Sequence, residues 1–251
     1  GIYVDQSFSR STLVPSGMYW WLVSISFGFQ IYYDFSGYSN IARGLALLMG
    51  VDLPKNFDFP YFSKSLKTFW RRWHITLSFW FRDYVYQPLV GEVEKRYRIL
   101  ISLIATFTLS GVWHGSSWNF VLWGVYFGVM HIIERTLLTF IHKDESSILG
   151  RLWLVFSVSY GWMIFRTENL IQLQKITYFM FSDISLLNMN HNVKMLLLLT
   201  TLSIIFEFIF KALEKWEKSK LFLLEIVSYS FMLPALIFFR VGRESFIYFR
   251  F

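Results

Sequence analysis

Two of the five histidines in this 251-residue chain stand in unusual surroundings. His74 interrupts an aromatic, arginine-rich segment, FWRRWHITLSFWFRDYVYQPLVG (residues 69–91). His114 lies between two apolar runs, in SGVWHGSSWNFVLWG (residues 110–124). A histidine in an apolar pocket stays neutral because desolvation disfavours its charged form, so it can accept a proton. The chemistry these residues suggest is therefore general base catalysis in a dry site.

The depth of His114 in a membrane follows from helix geometry. The segment from Leu100 to Trp113 forms a helix about 21 Å long at about 1.5 Å per residue, whereas the hydrocarbon core of a bilayer is about 30 Å thick. A helix that begins at the cytoplasmic interface therefore leaves His114 inside the membrane. An ionisable residue at that depth is a candidate functional residue. The alternative is a histidine that only ties two helices together.

The segment around His74 is too polar to span a membrane. Read as a helix from Trp70, it places one aromatic stripe on a single face, made of Trp70, Trp73, His74, Leu77, Trp80, Phe81 and Tyr84. This pattern predicts an in-plane helix at the membrane interface, with its arginines directed toward lipid phosphates. The alternative for His74 is a hydrogen-bonded core residue of a simple anchor helix.

The composition favours a membrane protein. Hydrophobic residues make up 55% of the chain, charged residues 16%, and mean hydropathy is +0.42, whereas soluble domains are about 25% charged. The net charge is +7. Because the basic residues separate apolar runs, they indicate an anionic membrane surface and no nucleic-acid partner. The chain has no cysteine, which excludes disulfides and cysteine metal sites, and no H-E-x-x-H pattern, so we expect no metal.

Six apolar runs approach the length needed to cross a membrane, about 17–25 residues. They lie near residues 18–34, 99–114, 117–133, 149–165, 195–211 and 221–239. We predict an all-α, multi-pass membrane protein with about five to six transmembrane helices. Clusters of lysine and arginine in two loops, 135–151 and 211–220, predict that these loops are cytoplasmic.

Several long motifs occur together and in a recognisable order. They are QIYYDFSGYSNIARGLALLMG (30–50), LPKNFDFPYF (53–62), FWRRWHITLSFWFRDYVYQPL (69–89), GVWHG (111–115) and FIYFRF (246–251). In these motifs the chain resembles the membrane-bound O-acyltransferase family, in the branch of bacterial alginate and peptidoglycan O-acetyltransferases. The resemblance implies in-plane and re-entrant helices around a central chamber, in the bacterial cytoplasmic membrane. It also implies that residues 1–251 are the C-terminal portion of a single domain whose N-terminal helices are missing here.

The resemblance implies roles for individual residues. His114 is expected to be the general base toward an acceptor hydroxyl, and His74 to assist by hydrogen bonding the donor or the oxyanion. We expect further residues to bind substrate or line the chamber: Asp34, Tyr38, Arg71, Arg72, Arg82, Asp83, Ser116 and Asn119.

Structural alternatives exist for some of these residues. Asp34 could pair with Arg43, Arg71, Arg72 or Arg82, just before a helix break expected at Ser36-Gly37. Ser116 and Asn119 could cap helices. We expect the remaining histidines, His131, His142 and His191, to be non-catalytic, and Glu207 to have a partner on another helix.

The expected reaction is transfer of an acyl group, most simply acetyl, onto hydroxyls of a cell-envelope polysaccharide. No bound cofactor is expected; a thioester, acetyl-CoA or an acylated carrier protein, is the donor substrate. The expected partners are the polysaccharide or a partner acetyltransferase or esterase, and the lipid bilayer. Pro88-Leu89-Val90-Gly91 departs from the branch's P-L-G-G, so D-alanyl transfer onto teichoic acid remains an alternative. A transporter or non-catalytic scaffold is an alternative from another class.

Overall fold

The fold is built from helices. The computed structural model describes residues 2–9, 13–92, 95–136, 148–182 and 190–213, and within them every regular element is helical. The α-helices are α1 (Ile2–Phe8), α2 (Gly17–Leu48), α3 (Leu66–Trp70), α4 (Ile75–Phe81), α5 (Gln87–Val90), α6 (Arg96–His114), α7 (Trp118–Thr136), α8 (Ile148–Arg166), α9 (Leu170–Ser182) and α10 (His191–Leu213). A 3-10 turn (Pro60–Phe62) precedes α3 and a π-helical turn (Arg82–Tyr86) follows α4. The all-α prediction is confirmed for this part of the chain.

Helix α2 is the central element, 32 residues long. It packs against α8, α9 and α10 through apolar residues three and four apart, including Trp20, Val23, Phe27 and Ile31, all buried. The predicted break at Ser36-Gly37 is wrong, because α2 continues to Leu48. A glycine inside a helix costs about 1 kcal/mol relative to alanine, which a long, well-packed helix tolerates.

Helices α6 and α7 form a tight hairpin, with His114 between the two apolar runs as the sequence shows. The connection between them is only three residues long, 115–117. Gly124 of α7 lies directly against the backbone of α6, and a β-carbon at this position would collide with the Phe107 carbonyl oxygen. A β-carbon on Gly111 would likewise collide with the Phe120 carbonyl oxygen. The two helices therefore approach backbone to backbone, as glycine-containing membrane helices do.

The segment around His74 differs from the prediction. The single in-plane helix expected from Trp70 onward is wrong, because the chain turns between α3 and α4. His74 itself adopts a left-handed conformation, with φ 42° and ψ 56°. The turn is held by two backbone hydrogen bonds to a distant loop: Ile75 N–H donates to Asn56 O (2.9 Å), and Asp58 N–H donates to Arg72 O (3.0 Å). These long-range bonds replace the helical ones that the local pattern favours.

Two helices in the described ranges are long and apolar enough to cross a membrane, α8 and α10. They correspond to two of the six predicted runs, and the run 221–239 lies outside the described residues. Helix α10 contacts α2, where the buried Glu207 carboxylate accepts a hydrogen bond from Tyr32 Oη (3.5 Å). The sequence predicts that Glu207 has a partner on another helix, and the structure identifies this partner as Tyr32 of α2.

Candidate active site

Both histidines singled out in the sequence line one cavity of about 900 Å³. Its walls come from α2, α3, α4, α6, α7 and α8. Most of the lining side chains are apolar or aromatic, and the charged ones come mainly from α3, α4 and α7 and the turns beside them. The arrangement is that of a largely apolar chamber with charged margins, which is typical of small-molecule sites.

His114 is the last residue of α6 and is enclosed by aromatic rings. Its ring centre lies 4.9 Å from that of Trp113, 5.3 Å from that of Trp123 and 5.2 Å from that of Phe165. Because these rings come from α6, α7 and α8, three helices fix the position of one imidazole. Proton acceptance by His114 would take place in a water-poor environment.

His74 approaches the same cavity from the turn between α3 and α4. Its ring packs edge-on against Phe35 (4.6 Å between centres) and lies 6.4 Å from Trp113. Its Nδ1 atom is buried and has no hydrogen-bond partner among the described residues. Burial, and then the charge of the nearby His114, lower the pKa of His74 to about 3, so the ring is neutral at physiological pH.

Asn56 supports the turn that carries His74. Its Oδ1 atom accepts hydrogen bonds from Thr76 Oγ1 (2.7 Å) and Thr76 N (3.3 Å), and its Nδ2 donates to Ser39 Oγ (3.2 Å). The neighbouring Phe57 ring packs edge-on against Trp73 at 5.1 Å. Sequence reasoning assigned no role to either residue. The available signal was a polar Asn within the otherwise aromatic motif LPKNFDFPYF.

The predicted site residues divide into two groups. His74, His114, Arg71 and Arg82 line the cavity. The other six do not: Asp34, Tyr38, Arg72, Asp83, Ser116 and Asn119. Asp83 nevertheless contacts the lining through Arg82, whose Nε and Nη2 donate to its carboxylate at 2.6 and 3.1 Å.

The buried Asn119 has a structural role. Its side-chain amide donates to the carbonyl oxygen and to Oγ1 (3.1 Å) of Thr167. The start of α7 is thereby tied to the residue that follows α8. Ser116 and Tyr38 are exposed.

The arginine pairing considered for Asp34 is not found among the described ion pairs. Arg43 donates to the Leu53 carbonyl oxygen (2.9 Å), and Arg72 approaches Asp58 at 4.0 Å. Arg82 pairs with Asp83. Asp34 is half-buried on α2.

His131 has a position in the structure that the sequence did not indicate. The sequence predicts only that it is non-catalytic, and the structure places it on the lining of the cavity. Its ring stacks on Phe107 with centres 4.9 Å apart, and its Nε2 atom is buried without a partner among the described residues. Of the other two histidines, His191 lies near Tyr3 Oη (3.4 Å), and His142 falls outside the described residues.

Glu134, one helical turn beyond His131, anchors α3. Its carboxylate accepts hydrogen bonds from the backbone N–H groups of Leu66 (2.8 Å) and Lys67 (3.4 Å), at the start of α3. A carboxylate at a helix N-terminus is favourable because it meets free N–H donors. In the described part of the chain no three His, Cys, Asp or Glu side chains form a group that could hold a metal ion.

Comparison with known proteins agrees with the resemblance seen in the motifs. Residues 2–174 match the profile of MBOAT, the membrane-bound O-acyltransferase family. The chain belongs to this family.

The similar proteins include members of three enzyme types. One is the probable alginate O-acetylase AlgI of Azotobacter vinelandii, 43% identical over 150 residues, which are 60% of this chain and 30% of the relative. Another is the peptidoglycan O-acetyltransferase of Helicobacter pylori, 36% identical over 177 residues, or 69% and 33% of the two chains. The teichoic acid D-alanyltransferase of Bacillus subtilis is 39% identical over 129 residues, or 49% and 32%. The chain thus spans about a third of the length of these relatives.

Proposed function

We propose that this chain carries the reaction centre of a membrane O-acyltransferase that transfers an acetyl group from a thioester to a hydroxyl of a cell-envelope polysaccharide. The observation that carries the proposal is the pair of histidines, His74 and His114, on one largely apolar cavity. Family membership supports the reaction class. The similarity to alginate and peptidoglycan O-acetyltransferases supports the acceptor class.

In the proposed mechanism His114 is the general base. Its neutral imidazole takes the proton of the acceptor hydroxyl as the oxygen attacks the thioester carbonyl carbon. The tetrahedral intermediate then collapses, the carbon–sulfur bond breaks, and the imidazolium returns the proton to the thiolate. The products are an O-acetyl ester and a free thiol. Transfer is direct, so no acyl-enzyme intermediate is required.

His74 is proposed to stabilise the oxyanion or to orient the donor. Its neutral ring carries one N–H, and a hydrogen bond to the developing negative charge is stronger in a dry cavity than in water. Arg71 and Arg82, at the cavity margin, are suited to bind anionic parts of the substrates. Asp83 would hold the Arg82 guanidinium in place.

The proposed setting is the bacterial cytoplasmic membrane, crossed about five to six times. Helices α8 and α10 are two of the proposed spans. The donor would be acetyl-CoA or an acylated carrier protein, and a partner acetyltransferase or esterase would act on the same polysaccharide. D-alanyl transfer to teichoic acid is the second candidate, favoured by the similarity to the Bacillus subtilis enzyme.

The test uses the full-length protein in membranes, supplied with radiolabelled acetyl or D-alanyl donor. Esters on the envelope polymer are released with mild alkali and identified. His114→Gln keeps a hydrogen-bonding side chain but cannot act as the base, so we expect the rate to fall by about 10²–10⁴-fold. The matched control is His191→Gln, remote from the cavity, which should retain the parental rate. Parental activity in His114→Gln would refute the proposed mechanism, and D-alanyl ester as the only product would select the second candidate.

A further inference from the structure

The cavity carries a set of buried polar atoms that the proposed mechanism does not use. They are Trp70 Nε1, Thr106 Oγ1 and His131 Nε2, and none has a hydrogen-bond partner among the described residues. The Thr106 side chain is strongly buried, since the residue is only 9% exposed. A buried polar group that has lost its hydrogen bonds to water and gained no partner is unfavourable. Three such atoms on one cavity therefore indicate a site built for a ligand.

Two of these atoms, those of Thr106 and His131, lie at a distance from His114. Thr106 is two helical turns before His114 on α6, and His131 is eight residues after Trp123, the α7 residue beside His114. Each separation is about 12 Å along a helix. Because α6 and α7 are antiparallel, both separations run in the same direction.

A continuous aromatic wall connects the two ends. From His114 it passes to Trp123 (5.3 Å between ring centres), to Trp70 (5.7 Å), to Phe107 (5.4 Å) and then to His131 (4.9 Å). A ligand that reaches from His131 to His114 would therefore lie along ring faces and edges, with polar contacts at both ends.

The charged side chains around the cavity favour a ligand that carries negative charge. Among the described residues one acidic side chain, Glu134, lines the cavity, and it is engaged with the N-terminus of α3. The basic side chains of the lining are Lys64, Lys67, Arg71, Arg82 and Arg135. A positive margin around a low-dielectric cavity attracts anions.

We propose that Thr106 and His131, with Trp70 on the wall between them and His114, form a second polar subsite, which binds a hydrogen-bond-accepting oxygen of an anionic substrate about 12 Å along the α6–α7 hairpin from the group that reacts at His114. The inference rests on the proposed function, because it identifies the substrate by its distance from the reaction centre. Two substrates have this chemistry. One is the acyl donor, through carbonyl or phosphate oxygens, and the other is an acidic polysaccharide, through carboxylate oxygens.

Thr106→Val and His131→Phe test the subsite, since each keeps the shape of the side chain and removes its polar atoms. Binding is measured on the purified full-length protein as the thermal stabilisation produced by coenzyme A and, separately, by de-O-acetylated alginate oligomers. We expect each variant to bind one of these ligands about 3- to 10-fold more weakly, the effect of one lost hydrogen bond. Without ligand, both variants should be at least as stable as the parent, because an unpaired polar atom has been removed.

Two controls separate binding from folding. Thr108→Val removes a hydroxyl on the same helix that is also buried and unpaired among the described residues, but does not line the cavity. It should not alter ligand binding. Thr106→Ser keeps the hydroxyl and should bind as the parent does.

Weaker binding of coenzyme A alone assigns the subsite to the donor, and weaker binding of the oligomers alone assigns it to the acceptor. Unchanged affinity for both ligands in both variants, or no stabilisation of the parental protein by either ligand, overturns the subsite. Acetyl transfer by the parental protein is measured in parallel. Absence of transfer together with intact, His131-dependent binding would refute the proposed function while leaving the subsite in place.

Discussion

The two histidines of the cavity are positioned in opposite ways. His114 ends a regular helix whose contact with α7 depends on glycines that let the two backbones touch. His74 occupies a left-handed turn that is held by hydrogen bonds from the loop around Asn56. The first arrangement is rigid because the backbones of α6 and α7 are in direct contact along the hairpin. The second can be adjusted, because a few hydrogen bonds hold it and each contributes only about 1 kcal/mol.

The largest effect is expected from Gly124→Ala in the rigid region. The added methyl group would collide with the Phe107 carbonyl oxygen and the Thr108 Cα atom, so the hairpin must separate. Overpacking of this kind costs about 1–3 kcal/mol or more. We expect a clear loss of thermal stability in detergent and, because His114 moves with the end of α6, a loss of acyl transfer.

Gly37→Ala is the matched control for this prediction. Gly37 lies inside α2, and no atom lies within 4 Å of the position of an added β-carbon. Alanine is favoured over glycine in a helix by up to about 1 kcal/mol, so this variant should be as stable as the parent or more so. If Gly124→Ala were equally benign, the backbone contact between α6 and α7 would not position His114.

A smaller effect is expected from Asn56→Ala in the adjustable region. The change removes the acceptor for Thr76 and the donor to Ser39, while the backbone bond from Ile75 remains. We expect kcat to fall about 3- to 30-fold with little loss of stability, because the His74 ring is held less firmly. The control is Asn190→Ala, which removes the Oδ1 cap of Val193 N at the start of α10. The Asn190→Ala variant should have lower stability and an unchanged kcat. If Asn56→Ala has the same kcat as Asn190→Ala, Asn56 does not position His74.

The left-handed backbone at His74 allows a comparison of two substitutions at this position. Glycine adopts positive φ without a steric penalty, whereas alanine pays about 1–2 kcal/mol. His74→Gly should therefore unfold at a higher temperature than His74→Ala, the reverse of their order inside a helix. The opposite ranking would mean that this residue is helical in solution.

The smallest effect concerns pH. The native state keeps His74 neutral down to about pH 3, whereas an unfolded chain protonates its histidines below about pH 6.5. The unfolded state therefore binds more protons in this window, and the stability contributed by His74 is present above about pH 6.5 and falls as pH decreases toward 3. From pH 7 to pH 6 the parental protein should lose under about 1 kcal/mol more than His74→Gln. Parallel stability curves for the two proteins would show that His74 is exposed to solvent.

The sequence by itself determined the elements whose causes are local. The α6–α7 hairpin and His114 at its turn follow from two apolar runs separated by a short polar segment, because helix length and periodicity depend on neighbouring residues. The family motifs also predicted the class of reaction, acyl transfer to a hydroxyl group, without any structural information. The in-plane segment was predicted only in part: its aromatic face was evident, but its break at His74 was not.

Only the tertiary structure decided the features that depend on distant residues. His74 is left-handed because the loop at residues 56–58 supplies backbone partners that compete with helical bonds. The glycine at position 37 stays inside α2 because its cost of about 1 kcal/mol is small for a 32-residue helix whose N-terminal half is buried against α8, α9 and α10. His131 joins the cavity because α7 lies against α6 and directs a residue from the far end of an apolar run toward Phe107. Long-range hydrogen bonds and side-chain packing do not produce a periodic pattern in the sequence. The turn at His74, the continuous helix at Gly37 and the position of His131 could therefore be established only from the folded structure.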